Sequence, residues 1–234
     1  MSTKSIAFAL QSVRQKIVSA EAQFHRPLGS VTLLAVSKGK PASTVREAYR
    51  TGQTDFGESY VQEATIKLNE LSDLDGLRWH FIGRIQANKT RFIANRFDWV
   101  HSLDRLKVAR RLSEQRDSTL APLSVCLQVN LNVDSAKAGI TIEDAFEVGQ
   151  RIAELPRLQL RGFMTIPEPT RDFVSQRLPF RALRELFEKC NAQGLALDTL
   201  SMGMSDDLEA AIAEGATIVR VGTAIFGPRD LTQT

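Results

Sequence analysis

The sequence predicts an α/β fold: a single (β/α)8 barrel, the TIM-barrel class, with an extra helix at its N-terminus. Three observations point there. Eight short apolar runs, at 31–38, 54–59, 78–83, 99–104, 124–130, 158–165, 199–203 and 218–226, are separated by segments of helical periodicity near 42–52, 60–71, 86–96, 105–116, 143–154, 173–193 and 207–214. Strands alternating with helices make parallel βαβ units. Several runs are apolar at consecutive positions, as in Val31-Thr32-Leu33-Leu34-Ala35-Val36, which suits strands covered on both faces. No G-x-G-x-x-G follows the first run, which disfavours the rival open doubly wound sheet.

The elements follow in order. Ile6, Leu10, Val13, Ile17 and Ala20 recur at helical spacing and predict a helix over 4–24. Eight strand–helix units fit a chain of 234 residues. Nothing resembling a long Pro/Gly/Ser linker interrupts them, so 1–234 reads as one domain. The helix expected after the last run is missing or very short, and the N-terminal helix is the element available to cover that gap.

Composition narrows the function. Apolar residues at 43% and charged residues at 24% describe an ordinary globular chain. Net charge is only +3, and the richest basic stretch, 107–116, mixes Arg110 and Arg111 with Glu114 on a helical pattern. That reads as a solvated helix face and not as a nucleic-acid surface. Cys126 and Cys190 form no C-x-x-C pair, and Cys126 in an apolar run reads as a buried reduced thiol. Residues 1–13 lack a signal-peptide layout and no run is long enough for a bilayer, so the expectation is a cytoplasmic protein without a membrane partner. His25, His80 and His101 form no H-E-x-x-H, and no metal site is expected. His80, between Trp79 and Phe81, reads as a hydrogen-bonded core histidine.

In such a barrel the chemistry gathers at the C-terminal ends of the strands, with phosphate often held by the loops after strands seven and eight. Strand one ends in Ser37-Lys38, and alternation puts Leu34, Val36 and Lys38 on one face. In strand eight Ile218, Arg220 and Gly222 share a face, with Val219 and Val221 opposite. Closure places these strands side by side, so Lys38 and Arg220 line one pocket that wants an anion. Ser201-Met202-Gly203 and Gly222-Thr223 supply glycines for close backbone approach and hydroxyls for phosphate oxygens. Asp206 and Glu209 resemble a capping box, whose charge disfavours phosphate on that helix end. Read singly, Lys38 is a solvated strand-end lysine, Arg220 pairs with a structural carboxylate and the glycines serve turns. Together they specify an anion site, such as one for a sugar phosphate.

At these residues the sequence resembles the pyridoxal phosphate homeostasis proteins, the YggS/PROSC family. The resemblance is carried by L-L-A-V-S-K at 33–38, F-G-E-S-Y-V-Q-E at 56–63, W-H-F-I-G at 79–83, Q-A-N-K at 86–89, S-A-K-A-G at 135–139, S-M-G-M-S-D-D at 201–207 and R-V-G-T-A-I-F-G at 220–227. It implies the barrel of the alanine racemase N-terminal domain and pyridoxal 5′-phosphate held as an internal aldimine (a Schiff base) on Lys38. It further implies that Arg220 faces the pyridine nitrogen, that Ser201, Gly222 and Thr223 hold the phosphate, and that Met202 and Gly203 shape the same loop. The chain departs from the family pattern at Ser59, where Asn is usual, and at Arg84, where Pro is usual. These put fine affinity in doubt and leave cofactor binding intact.

The same resemblance raises a rival, a PLP-dependent amino-acid racemase. A two-base racemase needs a second proton-transfer group on the opposite face of the substrate. In the racemases that group is a tyrosine of a separate C-terminal domain, for which this chain, ending at Thr234, leaves no room. Tyr49 sits in a helical segment and Tyr60 is a weak substitute. A permanently charged Arg220 is also expected to keep the pyridine nitrogen unprotonated and weaken the electron sink, which argues against transamination more than racemisation, since racemases of this type use it too. The expectation is therefore a non-catalytic monomeric carrier in vitamin B6 homeostasis, buffering or delivering the cofactor to PLP-dependent apoenzymes, with weak racemase activity still open. Lys137 is a possible second landing point for the aldehyde, or a solvated loop lysine. Lys40 and Lys89 lie near the mouth as surface lysines. Met164, Met202 and Met204 read as packing at the barrel top, with Met164 within reach of the cofactor ring. A third class, a phosphate-handling isomerase, needs a carboxylate base, and Glu58 is the nearest candidate.

Overall fold

The computed structural model describes residues 5–131 and 138–228. Eight parallel strands close into a barrel in chain order: β1 (Thr32–Val36), β2 (Asp55–Glu58), β3 (Arg78–Phe81), β4 (Trp99–Leu103), β5 (Leu123–Gln128), β6 (Leu158–Met164), β7 (Thr199–Ser201) and β8 (Ile218–Val221). Around it run α1 (Ile6–Gln23), α2 (Ala42–Tyr49), α3 (Val61–Glu70), α4 (Thr90–Arg96), α5 (Leu106–Gln115), α6 (Ala145–Ala153), α7 (Phe173–Ala192), α8 (Leu208–Ala213) and α9 (Thr223–Phe226). The predicted architecture is the observed one, with boundaries moved by a few residues.

Helix α1 forms because Ser5 caps it, accepting from the Phe8 N–H, and because Leu10, Val13, Ile17 and Ala20 make one buried stripe. That stripe packs on α2, α8 and α9. It seals the side of the barrel that the one-turn α9 is too short to cover. None of the described helices is long and apolar enough to cross a membrane.

Three local expectations change. The run at 218–226 is not one strand: β8 stops at Val221, and the Gly222 carbonyl accepts from the Ile225 and Phe226 N–H groups to start α9. Asp206 and Glu209 form no capping box. The N-cap of α8 is Asp207, whose carboxylate turns back to accept from the Met204 N–H. In the basic stretch, Lys107 and Arg110 are solvated as expected, but Arg116 is buried and donates to the carbonyls of Ala94, Phe97 and Ala121, stapling the end of α4.

Strand register separates two interiors. Leu33, Ala35, Phe56, Phe81, Val125, Phe163, Val219 and Val221 face the helices and form the main apolar layer. The opposite face can be traced around the barrel by partners: Leu34 beside Arg220, Val36 beside Gly57, Gly57 beside His80, His80 beside Trp99, Trp99 beside Ser124, Cys126 beside Gly162, Met164 beside Ser201 and Ser201 beside Ile218. Barrel interiors are normally filled by branched apolar side chains. Here arginine, two histidines and two serines occupy that ring.

Candidate functional site

Lys38 is half-buried, in the turn just past β1. Its neighbours are pinned on every side. The Ser37 N–H donates to the Gly57 carbonyl at 3.0 Å, the Ser37 hydroxyl to Glu58 Oε1 at 2.6 Å, and Lys67 Nζ to the Ser37 carbonyl at 2.7 Å. The Gly39 N–H donates to Glu63 Oε2 at 2.7 Å. Lys67 and Glu58 are themselves a buried ion pair at 2.6 Å. Burial pushes the Glu58 carboxyl up, against the pull of Lys67 and Ser37, and its Oε2 has no hydrogen-bond partner. Gly57 faces the barrel interior, so alternation turns Glu58 outward to α3. Glu58 is thus a brace for the Lys38 turn and not a base aimed into the site. Beside Lys38 a small pocket is lined by Val36, Lys40, Gly222, Thr223 and Phe226. Lys40 does not point freely into it, since its Nζ donates to the Pro228 carbonyl at 2.6 Å.

Arg220 lies inside the barrel beside Leu34, as alternation predicted, whereas Lys38 stands past the end of β1 and the pocket beside it does not include Arg220. It is 5% exposed and donates to three neutral acceptors: the Ser201 carbonyl at 2.6 Å, Ser201 Oγ at 2.8 Å and the Thr165 carbonyl at 2.9 Å. Burial lowers its pKa to about 10, so it stays charged at neutral pH. A guanidinium carries five N–H donors. Those three acceptors leave capacity for a ligand, and a buried cation without a bonded carboxylate favours an electron-rich one.

Ser201 is where the structure departs most from the sequence-based picture. Its hydroxyl is not offered to a phosphate. It is fully buried between Arg220 and His101, whose Nδ1 lies 2.7 Å away. Beyond it, His101 Nε2 meets His80 Nδ1 at 2.9 Å, and His80 Nε2 meets Asp55 Oδ1 at 3.2 Å. Asp55 also takes a two-pronged ion pair from Arg78. Met202 is fully buried in the apolar layer. Gly203 is required by packing: its φ is +94°, and a Cβ there would lie 2.5 Å from the Ala211 Cβ. Gly222 sits tight against β1, where a Cβ would come within 3.1 Å of the Val36 carbonyl. The first N–H groups of α9, beginning at Thr223, have no intrahelical acceptor available. Lys137 lies outside the described residues. Arg84 is exposed on the loop after β3, and the Ser59 backbone packs where a Gly83 Cβ would stand. Burial pushes the Cys126 thiol up to about 12, so it is inert, as its apolar run suggested.

Sequence reasoning missed the brace of Glu58, Glu63 and Lys67 and the connection of His80 to His101. The i,i+4 spacing of Glu63 and Lys67 is common in surface helices and gave no signal. Two of only three histidines falling on neighbouring strands was a signal, because alternation and register together put them on one face.

The alanine racemase N-terminal domain profile matches residues 9–230. The pyridoxal phosphate homeostasis protein of Pseudomonas aeruginosa is 56% identical over 226 residues, covering 97% of this chain and 96% of that one. The chain belongs to this family. The Escherichia coli K12 pyridoxal phosphate homeostasis protein is 48% identical, covering 97% and 98% of the two chains. Among solved structures, PipY of Synechococcus elongatus PCC7942 with PLP bound is similar at 40% identity and a TM-score of 0.85, covering 95% of this chain and 100% of that one. Alanine racemase of Corynebacterium glutamicum shares the fold alone, at 15% identity and a TM-score of 0.66, and this chain matches 61% of its length.

Proposed function

We propose that this protein binds pyridoxal 5′-phosphate covalently through Lys38 and serves intracellular vitamin B6 homeostasis, holding, buffering or delivering the cofactor without robust catalysis. The observation that carries the reading is a braced lysine just past β1 with a buried, still-charged arginine on the neighbouring β8, in a chain 40% identical to a structure with PLP bound. When bound, the cofactor supplies an aldehyde that a neutral amine condenses with, releasing water.

The residues divide the work. Lys38 presents its amine from a turn that Glu58, Glu63 and Lys67 hold rigid. Arg220 offers its remaining donors to the pyridine nitrogen. Its charge disfavours protonation of that atom. The Thr223 hydroxyl and the backbone N–H groups of Gly222, Thr223 and Ala224 take the phosphate, where Gly222 admits close approach. Ser201 contributes by fixing Arg220, and Met202 and Gly203 by seating the β7 loop on α8.

A racemase reading finds neither tyrosine of the described residues placed as a second base. Tyr60 is half-exposed at the start of α3, and the Tyr49 hydroxyl donates to the Asp75 carbonyl. The isomerase reading loses its nearest candidate base, because Glu58 faces the helices. The carrier is read as a cytoplasmic monomer whose partners are transient apoenzyme recipients. The test is the visible spectrum of purified protein with added pyridoxal phosphate beside Lys38→Ala. A yellow band in the wild type alone, trapped by borohydride on Lys38, supports the site. A band of equal strength in both proteins, or in neither, overturns it, and amino-acid racemisation at enzymatic rates overturns the carrier role.

A further inference from the structure

A run of hydrogen bonds crosses the barrel interior from the N-terminal end of β2 to the cofactor end of β8. Its four links are Asp55 to His80 at 3.2 Å, His80 to His101 at 2.9 Å, His101 to Ser201 at 2.7 Å and Ser201 to Arg220 at 2.8 Å. Every side chain in it is buried. The charge at one end sets the direction of every proton. Asp55 accepts only, because it is ionised: burial raises its carboxyl, but the bonds from His80 and Arg78 outweigh this and hold it at about 2. His80 must therefore donate from Nε2. Burial keeps both imidazoles neutral, so each has one N–H and one lone pair. His80 Nδ1 then accepts from His101 Nε2, and His101 Nδ1 accepts from the Ser201 hydroxyl. Ser201 is left with only lone pairs for Arg220, which has nothing but N–H donors to give. The assignment is unique and fully satisfied.

We infer that Asp55, His80 and His101 are positioning residues for Arg220, orienting the Ser201 hydroxyl so that the guanidinium is held as a donor toward the ring end of the cofactor. This rests on the cofactor reading given above. A merely structural interior does not need the chain, since branched apolar side chains fill such barrels without the desolvation cost of buried polar groups. The charged groups facing it are Arg78 on β3, Asp98 before β4, Arg220 on β8 and Asp207 at the start of α8, with Cys126 on β5 held as a neutral thiol.

The test follows the visible band of the protein with pyridoxal 5′-phosphate as a function of pH, in wild type, Asp55→Asn, His80→Gln and Arg78→Met. Asn at 55 offers an N–H to His80, which allows the chain to reverse. Gln at 80 can still reach Asp55 but breaks the link to His101. Both variants are expected to form the borohydride-trapped adduct on Lys38 while the pH midpoint of the band moves by about one unit. Arg78→Met removes one of the two partners that keep Asp55 ionised but leaves the Asp55–His80 link, and is expected to move the midpoint less than Asp55→Asn does. Ser201→Ala deletes only a hydroxyl and gives the same reading if either interior variant does not fold. A wild-type midpoint in the variants that fold, or an equal shift in Arg78→Met, overturns the inference. No band in the wild type overturns the cofactor reading itself.

Discussion

Two polar clusters sit within one barrel wall of each other and solve burial in opposite ways. Inside the barrel, Asp55, His80, His101, Ser201 and Arg220 form a chain whose middle is neutral and whose every link is made. Outside it, between β2 and α3, Glu58 and Lys67 bury opposite charges in direct contact, and one carboxylate oxygen is left without a partner. The inner cluster governs what Arg220 presents to a ring. The outer one governs where Lys38 stands. A neutral chain tolerates rearrangement of its protons, whereas a buried ion pair fails when either charge is removed.

The largest expected effect comes from breaking the outer pair. Lys67→Met strands Glu58 and should cost about 3–5 kcal/mol of unfolding free energy in urea melts. The double variant Lys67→Met/Glu58→Leu should recover most of that loss, because no unpaired charge remains. If the double variant is as unstable as the single, the ion pair is not what makes Lys67 matter.

The two clusters should also differ in the sign of their pH dependence. The histidines are depressed by burial, so the native state resists protons that the unfolded chain takes up near 6.5. Their contribution is fully present above that pH and is lost as pH falls below it. Glu58 is raised, so the native state takes its proton first and that contribution grows as pH falls. The melting temperature should therefore drop on acidifying from pH 7.5, with Glu58→Gln dropping more steeply. A shallower slope in Glu58→Gln would mean that Glu58 is not the opposing group.

The smallest effect belongs to neither cluster. Thr223→Val should weaken cofactor binding about tenfold, through one lost hydrogen bond, with stability and Lys38 attachment unchanged. Fluorescence titration against Lys38→Ala separates the two contributions. Loss of attachment in Thr223→Val would place the hydroxyl nearer the lysine than the phosphate.

The sequence by itself determined the barrel, the number and order of its strands, and the interior face of Arg220 beside Leu34. Each follows from short-range periodicity: apolar runs at strand length, helical stripes between them, and alternation by two within a strand. The motifs around 33–38 and 220–227 determined the family by the same local text. Only the tertiary structure decided what those residues touch. It ties the Ser201 hydroxyl to Arg220 and His101, and it turns Glu58, the candidate base, outward to Lys67. The end of β8 at Gly222 and the cap of α8 at Asp207 were decided there too. The physical reason is that hydrogen-bond partners on different strands depend on register and closure. His101 and Ser201 are a hundred positions apart in the chain yet 2.7 Å apart in the barrel, and no local pattern encodes that distance.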